Sequence, residues 1–131
     1  MEEKGDKEVN YSKGNFRVLC MYLKFNIIEN KLIAHLIGEL DHHSSQEVRV
    51  KIDDRIDRDN ITNVILDFSK VTFMDSSGIG VVVGRYKKVS ANGGNICVAN
   101  VSKSVNRVFE LSGLFKIIKN FNTVDEAVRC I

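Results

Sequence analysis

Two short apolar segments on either side of a segment with helical periodicity constrain the fold of this chain more than any other feature. Residues 64–68 are short, largely apolar and bounded by polar residues, which is typical of a buried strand, and residues 95–99 are the next strand candidate. Between them, apolar residues in 77–91 recur at helical spacing, and Gly93 and Gly94 end the helix. Strand, helix and strand at this spacing predict a βαβ unit with two parallel strands and a right-handed crossover.

The residues before this unit predict an antiparallel hairpin. Residues 21–27 alternate between apolar and polar side chains, which is the period of a strand with one buried face. Residues 32–37 are apolar more continuously, so we expect this second strand to lie nearer the centre of the sheet. Glu29 and Asn30 form the tight turn between the two strands.

Capping sequences mark the starts of three further helices. Ser44 and Thr123 each begin a capping box, S-x-x-E or T-x-x-E, and Ser102 precedes a third amphipathic segment. Residues 116–119 are expected to form a short edge strand. The complete pattern predicts the α/β class: a single domain with a mixed four- to five-stranded sheet and about four helices.

Length and composition limit the classes of function. A chain of 131 residues that is 44% hydrophobic fits one domain, and the alternating charges at its start predict a flexible N-terminal extension over residues 1–20, followed by the domain at 21–131. We expect no membrane span and no secretion, because every apolar stretch is short. A net charge of +2 is too small for a dedicated nucleic-acid binder. Three distant cysteines fit a reducing cytoplasm.

The junction that follows the strand at 64–68 carries the residues most suited to chemistry. Residues 73–80 read F-M-D-S-S-G-I-G, and ligands of open α/β sheets gather at this edge of the sheet. Ser76 is expected at or next to the helix N-cap, where its hydroxyl lies near the free N–H groups of the first turn. One interpretation is a plain capping serine, and the other is a functional hydroxyl.

Three known kinds of site use related patterns, and each lacks a required residue here. A nucleophile elbow needs a glycine two residues before the serine, where this chain has Met74. Glycines 78, 80 and 84 imitate a dinucleotide-binding turn, but the last two fall within the predicted helix and the next strand ends without an acidic residue. No P-loop lysine follows Gly84. The residues therefore predict neither a catalytic motif nor a bound cofactor.

Asp41, His42 and His43 carry side chains of the kind that bind metal ions. Adjacent histidines rarely bind one ion from a loop, and no H-E-x-x-H or similar spacing supports such a site. We predict no metal and interpret the segment as a recognition or capping loop. The sequence leaves open whether His35 or His43 serves as a base for Ser76.

Four separated blocks, taken together, resemble the anti-sigma-factor antagonists of the STAS domain family. The blocks are G-E-L-D-H-H at 38–43, F-M-D-S-S-G-I-G-V at 73–81, G-R-Y-K at 84–87 and L-S-G-L-F-K-I-I at 111–118. Within the family, the pattern is most similar to the antagonists that act on the first forespore-specific sigma factor of sporulating bacteria. The resemblance runs from about Met21 to the end of the chain.

The resemblance implies a protein switch rather than an enzyme. In the family, the unphosphorylated antagonist binds an anti-sigma factor that is also a serine kinase, and so releases the sigma factor. The kinase uses ATP to phosphorylate the serine after the aspartate of D-S-[ST]-G, which here is Ser76, and a serine phosphatase reverses the modification. The resemblance and the adjoining residues predict this partner-binding set: Asp41, His42, Asp75, Ser77, Gly78 and Gly80.

Physical chemistry is compatible with such a switch. A phosphate on Ser76 adds about −1.5 to −2 charges, which a helix N-terminus tolerates. Beside Asp75 it would repel an acidic group of the partner. Gly78 and Gly80 are expected to leave the helix start open to close approach. Asp75 has two interpretations, as a favourable charge at the helix N-terminus or as a residue that orients Ser76 or the partner. The alternative function is a STAS module that senses a nucleotide or another anion at the same helix N-terminus.

Overall fold

The computed structural model of the chain describes residues 7–10 and 21–131. Strands and α-helices alternate along these residues, with one short 3-10 helix before the last strand. The elements in chain order are β1 Lys7–Asn10, β2 Met21–Ile28, β3 Lys31–Leu40, α1 Ser45–Arg58, β4 Asn63–Met74, α2 Ser76–Ala91, β5 Ile96–Ala99, α3 Lys103–Ser112, the 3-10 helix Leu114–Lys116, β6 Lys119–Phe121 and α4 Val124–Cys130.

The strands form one mixed sheet in which each strand pairs with its neighbours in sequence. The order is β1-β2-β3-β4-β5-β6, with antiparallel pairs from β1 to β3 and parallel pairs from β3 to β6. The predicted hairpin is confirmed. Its turn residues Glu29 and Asn30 have φ values of 51° and 68°, the left-handed backbone that matches the twist of paired strands.

The two faces of the sheet are covered unequally. Helices α1, α2 and α3 lie on one face, where they bury a large core against side chains such as Phe25, Leu66 and Phe68. The other face carries a smaller cluster around Ile33, Ile65 and Ala127, and its helix is the short α4. Because alternate residues of a strand face opposite sides, the same strands build both clusters.

The predicted architecture is confirmed. The βαβ unit consists of β4, α2 and β5, and residues 21–131 contain five strands and four α-helices. Within the predicted extension, Lys7–Asn10 forms β1 and pairs with β2. Residues 1–6 and 11–20 lie outside the described residues, and the flexible extension stays a prediction. Among the described residues, no helix combines the length and the apolar character needed to cross a bilayer.

The capping box predicted at Ser44 does not form. Ser44 precedes α1, but its hydroxyl is buried and donates a hydrogen bond to the carbonyl oxygen of Glu39 at 2.8 Å. The hydroxyl therefore closes the turn before the helix instead of accepting from the first helical turn. The cap at Thr123 is confirmed, since its Oγ1 accepts from the N–H of Glu126 at 3.0 Å. The reciprocal bond of the box is shifted by one residue, because the carboxylate of Glu126 accepts from the N–H of Asn122.

The edge strand predicted at residues 116–119 is also displaced. Gly113 takes the left-handed conformation, with φ of 77°, and Leu114–Lys116 continues as a 3-10 turn. The edge strand β6 begins only at Lys119. Apolar residues at 117 and 118 resembled a strand, but Ile118 is buried in the large core before the chain reaches the sheet.

Candidate functional site

The candidate site lies where β3 and β4 end side by side. The two strands are parallel, and Leu40 pairs with Met74 at their carboxyl ends. The backbone N–H of Asp75 donates to the carbonyl oxygen of Leu40 at 3.3 Å. This pairing places the turn at residues 41–44 next to the start of α2, so two segments that are distant in sequence form one surface.

Asp41 organises the first of these segments. Its Oδ1 accepts hydrogen bonds from the backbone N–H groups of His43, at 2.9 Å, and Ser44, at 3.2 Å. Burial alone would raise the pKa of Asp41, but these backbone hydrogen bonds and the nearby histidines outweigh it and lower the pKa. The carboxylate of Asp41 therefore holds the shape of the turn, and both imidazole rings are left exposed.

Asp75 caps the second segment. Its backbone is extended, and its Oδ1 accepts from the N–H of Ser77 at 2.8 Å. Ser76 is the first residue of α2 and its side chain is exposed. Asp75, and not Ser76, therefore caps the helix. The hydroxyl of Ser76 lies at the surface of the first helical turn.

His42 joins the two segments. Its Nδ1 lies 3.8 Å from Oδ2 of Asp75, the carboxylate oxygen that does not cap the helix. The rings of His42 and His43 lie against each other, with centroids 3.9 Å apart. The side chain of His42 remains 71% exposed, so this contact is loose and open to solvent.

The two glycines of α2 have different roles. A Cβ on Gly78 would lie 2.3 Å from Cγ of Met74 and 3.1 Å from Leu40, because the helix start packs directly on the ends of β3 and β4. A Cβ on Gly80 would meet nothing within 4 Å, and Gly80 is exposed. The expectation of open space is correct for Gly80 and wrong for Gly78, whose missing side chain admits Met74.

Ion pairs hold α1 and α2 together behind the site. Arg85 is buried, and its Nε lies 2.7 Å from Oδ1 of Asp53. Lys88 pairs with Asp57 at 2.9 Å. Helical periodicity places Asp53 outside the apolar stripe of α1 but cannot reveal its charged partner on the neighbouring helix.

Phe73 is an exposed aromatic side chain beside the site that the sequence interpretation missed. It lies in β4, two residues before Asp75, and remains 50% exposed. Thr72 is exposed as well, while Val71 and Met74 are buried, so the strand does not alternate strictly here. The pairing of β3 with β4 shifts register between Val71 and Phe73, and this irregularity turns Phe73 outward. Simple alternation could not have identified Phe73 from sequence.

A second polar cluster lies within the sheet, and it engages one of the candidate bases. His35 donates from Nδ1 to Oδ2 of Asp67 at 2.6 Å, and its Nε2 lies 3.1 Å from Oδ1 of Asn26. The amide of Asn100 donates to Oδ1 of Asp67 at 3.0 Å. These four residues, here named the polar row, cross strands β2 to β4 and reach the end of β5. His35 is thus bonded within the sheet and is not brought to Ser76.

The described residues contain no group of three or more His, Cys, Asp or Glu side chains arranged to hold a metal ion.

His43 stays near the site, with its Nδ1 3.8 Å from Oδ2 of Asp41. The structure thus brings Asp41, His42, Asp75 and Ser77 together around Ser76 as one surface. This surface carries the carboxylates of Asp41 and Asp75, the imidazole of His42 and the hydroxyls of Ser76 and Ser77.

Comparison with known proteins identifies the fold. The model of the STAS domain family matches residues 22–127. The chain belongs to the STAS domain family. An anti-sigma F factor antagonist of Paenibacillus polymyxa is 46% identical over 87 residues, which are 66% of this chain and 74% of that protein.

Solved STAS structures agree with the sequence comparison. The anti-sigma factor antagonist SpoIIAA in its unphosphorylated form has a TM-score of 0.71 at 34% identity, covering 81% of this chain and 92% of its own. The Bacillus cell fate determinant SpoIIAA in its phosphorylated form has a TM-score of 0.65 at 33% identity, covering 82% and 96%. By sequence and by fold, this STAS domain groups with anti-sigma factor antagonists of the SpoIIAA type.

Proposed function

We propose that this STAS domain is a phosphorylation-gated antagonist of an anti-sigma factor. In its unphosphorylated state it binds an anti-sigma factor that is also a serine kinase, and so releases a sporulation sigma factor. Phosphorylation of Ser76 ends binding, and a serine phosphatase restores it. The names of the relatives support the antagonist role, and one solved relative is described in a phosphorylated form.

The observation that carries the proposal is the position of Ser76. Its side chain is exposed on the first turn of α2, directly after the capping residue Asp75 and beside the turn that contains His42. A kinase can reach the hydroxyl without unfolding the helix, because Asp75 and not Ser76 supplies the cap. The exposed Gly80 leaves the next turn clear for a protein partner.

Electrostatics explain how one phosphate can change binding and spare the fold. The added charge lies at a helix N-terminus, where anions are stabilised by about 0.3–1 kcal/mol at an exposed position. The same charge adjoins the carboxylate of Asp75, and together they present a strongly negative patch. A partner that places an acidic group there loses affinity through like-charge repulsion, which can reach several kcal/mol in a desolvated contact.

The proposed partner surface consists of the turn at residues 41–44 and the first turns of α2. Asp41 shapes the turn, while His42, Asp75, Ser77 and Gly80 lie around Ser76. Exposed Phe73 adds an apolar contact of the kind that anchors interfaces. Gly78 belongs to the surface only through its backbone, since Met74 fills its side-chain position.

We also propose that the domain acts in the cytoplasm, without catalysis of its own, without a cofactor and without direct contact with nucleic acid. The donor of the phosphoryl group is ATP bound by the kinase. The bond that forms joins Oγ of Ser76 to the γ-phosphorus, and the bond that breaks joins that phosphorus to the β–γ bridging oxygen. The serine proton passes to a base of the kinase.

Tandem mass spectrometry after incubation with the anti-sigma kinase and ATP tests the proposal. We expect one phosphoryl group on Ser76, its loss in Ser76→Ala, and its retention in the matched control Ser77→Ala. No modification by a kinase that is active on a known substrate would contradict it. A rise in melting temperature with nucleotide alone would then favour the alternative of an anion-sensing STAS module.

A further inference from the structure

The pair formed by His42 and Asp75 joins the two segments of the site, next to Ser76. His42 and Asp75 lie on different segments, 3.8 Å apart, and this distance exceeds that of a normal charge-assisted hydrogen bond of about 2.7–2.9 Å. Asp75 is committed to the helix through its other oxygen. The imidazole is therefore held weakly and is free to exchange its partner.

We propose that His42 is the counter-ion of the phosphoryl group on Ser76, and that its protonation makes the strength of the switch depend on pH. The inference rests on the proposed phosphorylation of Ser76. A phosphate carries about −1.5 to −2 charges against one on Asp75, so it competes for the same imidazole. Ser76 adjoins Asp75 in the chain, which places its hydroxyl within one residue of the imidazole's present partner.

The surroundings of His42 favour this role for it over His43. The titratable side chains that face His42 are Asp75, at 3.8 Å, His43, whose ring lies against it, and Asp41 of the same turn, whose carboxylate interacts electrostatically with His42. His43 pairs with Asp41, at 3.8 Å, and Asp41 is in turn fixed by backbone N–H groups. Of the two histidines, His42 is thus the one that pairs with the residue adjoining Ser76.

The sign of the effect follows from charge. Histidine changes its charge near neutral pH, and an adjacent anion favours the protonated ring. A protonated ring on His42 offsets part of the phosphate charge, so the repulsion that excludes the partner is weaker. A higher pH removes the proton from the ring and also completes the second ionisation of the phosphate, whose pKa is about 6, so both changes raise the negative charge that faces the partner. Discrimination between the two forms should therefore increase with pH.

The first test uses the full chain with phosphoserine incorporated at position 76 during synthesis, so that no kinase is needed. NMR follows the imidazole signals of the histidines against pH in the phosphorylated and unmodified chains. We expect the titration midpoint of His42 to move to higher pH by about half a unit or more, and that of His43 by less. Equal midpoints for His42 in both chains would overturn the proposal.

The second test compares binding to the anti-sigma partner at pH 6 and pH 8. In the wild-type chain, the ratio of affinities for the unmodified and phosphorylated forms should increase about threefold or more between these values. His42→Gln should reduce the increase to the part that the second ionisation of the phosphate supplies, and the matched control His43→Gln should keep the full increase. An unchanged pH dependence in His42→Gln would contradict the proposal.

The two tests separate this inference from the proposed function. If the kinase leaves Ser76 unmodified but the NMR midpoint moves, the switch fails and the pairing of His42 with phosphate stands. If Ser76 is modified and the midpoint does not move, the switch stands and the counter-ion role of His42 is wrong.

Discussion

The polar row and the site around Ser76, here named the switch site, each contain a histidine beside an aspartate. The surroundings of the two pairs are opposite. In the polar row, His35 and Asp67 lie 2.6 Å apart, and Asp67 is only 6% exposed. At the switch site, His42 and Asp75 lie 3.8 Å apart, and His42 is largely exposed. Burial and closed hydrogen bonds make the first pair part of the framework, whereas the second pair remains available to a new charge.

The hydrogen bonds around Asp67 explain this difference. Burial alone would raise the pKa of Asp67, but hydrogen bonds from His35, Asn100 and the N–H of Ser69 outweigh it and lower the pKa to about 2. Each bond is one that the charged carboxylate accepts, so the folded state favours the ionised form. Asp75 has a single cap bond and a distant imidazole, and its carboxylate is one-third exposed.

The largest expected effect is the loss of the buried carboxylate. Asp67→Ala should lower the free energy of unfolding by about 2–3 kcal/mol, because His35 and Asn100 lose their charged acceptor inside the sheet. Urea unfolding measures this change. The matched control is Asp75→Asn, which keeps an equally good N-cap and should change stability by less than about 0.5 kcal/mol. Equal losses in the two variants would show that the two pairs do not differ as described.

A smaller effect is expected from the packing beneath the switch site. Gly78→Ala should lower the free energy of unfolding by about 1–3 kcal/mol, since the new methyl group overlaps Met74. Gly80→Ala is the control, because its methyl group meets open space and the helix should gain up to about 1 kcal/mol. Thermal unfolding of both variants measures the difference, and a destabilised Gly80→Ala with an unaffected Gly78→Ala would contradict it.

The smallest expected effect is a pH dependence that belongs to the polar row. The pKa of Asp67 is lower in the folded chain, at about 2, than its ordinary value of 3.8. Its contribution to stability is therefore fully present above pH 4 and is lost as the pH falls toward 2, by about 1–2 kcal/mol after solvent screening. Unfolding in urea from pH 5 to pH 2 measures this slope, which should be reduced in Asp67→Asn. An identical slope in that variant would assign the acid sensitivity to other carboxylates.

The order of elements could be predicted from sequence because it depends on local periodicity. The βαβ unit, the hairpin turn at Glu29 and the cap at Thr123 are all determined by neighbouring residues, and the structure contains each of them. The position of Ser76 at the start of α2 follows from the same local signals. The family resemblance predicted the STAS fold, which the match over residues 22–127 confirms.

The contacts that the sequence could not predict depend on register between distant segments. His35 meets Asp67 only because β3 and β4 pair these two residues directly. The burial of Gly78 depends on Met74 reaching under the helix, and the bond from Ser44 to Glu39 depends on the exact path of a turn. Periodicity assigns each side chain to a face but does not say what the neighbouring strand or helix places opposite it.

The pairing of Leu40 with Met74 has a consequence for the order of events in the cell. All of α1 and most of β4 lie between these two residues, so the contact is non-local. It forms only after β3 and β4 have paired along their full length. A nascent or partly unfolded chain still contains His42, His43 and Ser76, but the segments that carry them are not yet side by side. We therefore expect a partner to bind only those chains in which the central strands β3 and β4 have already paired.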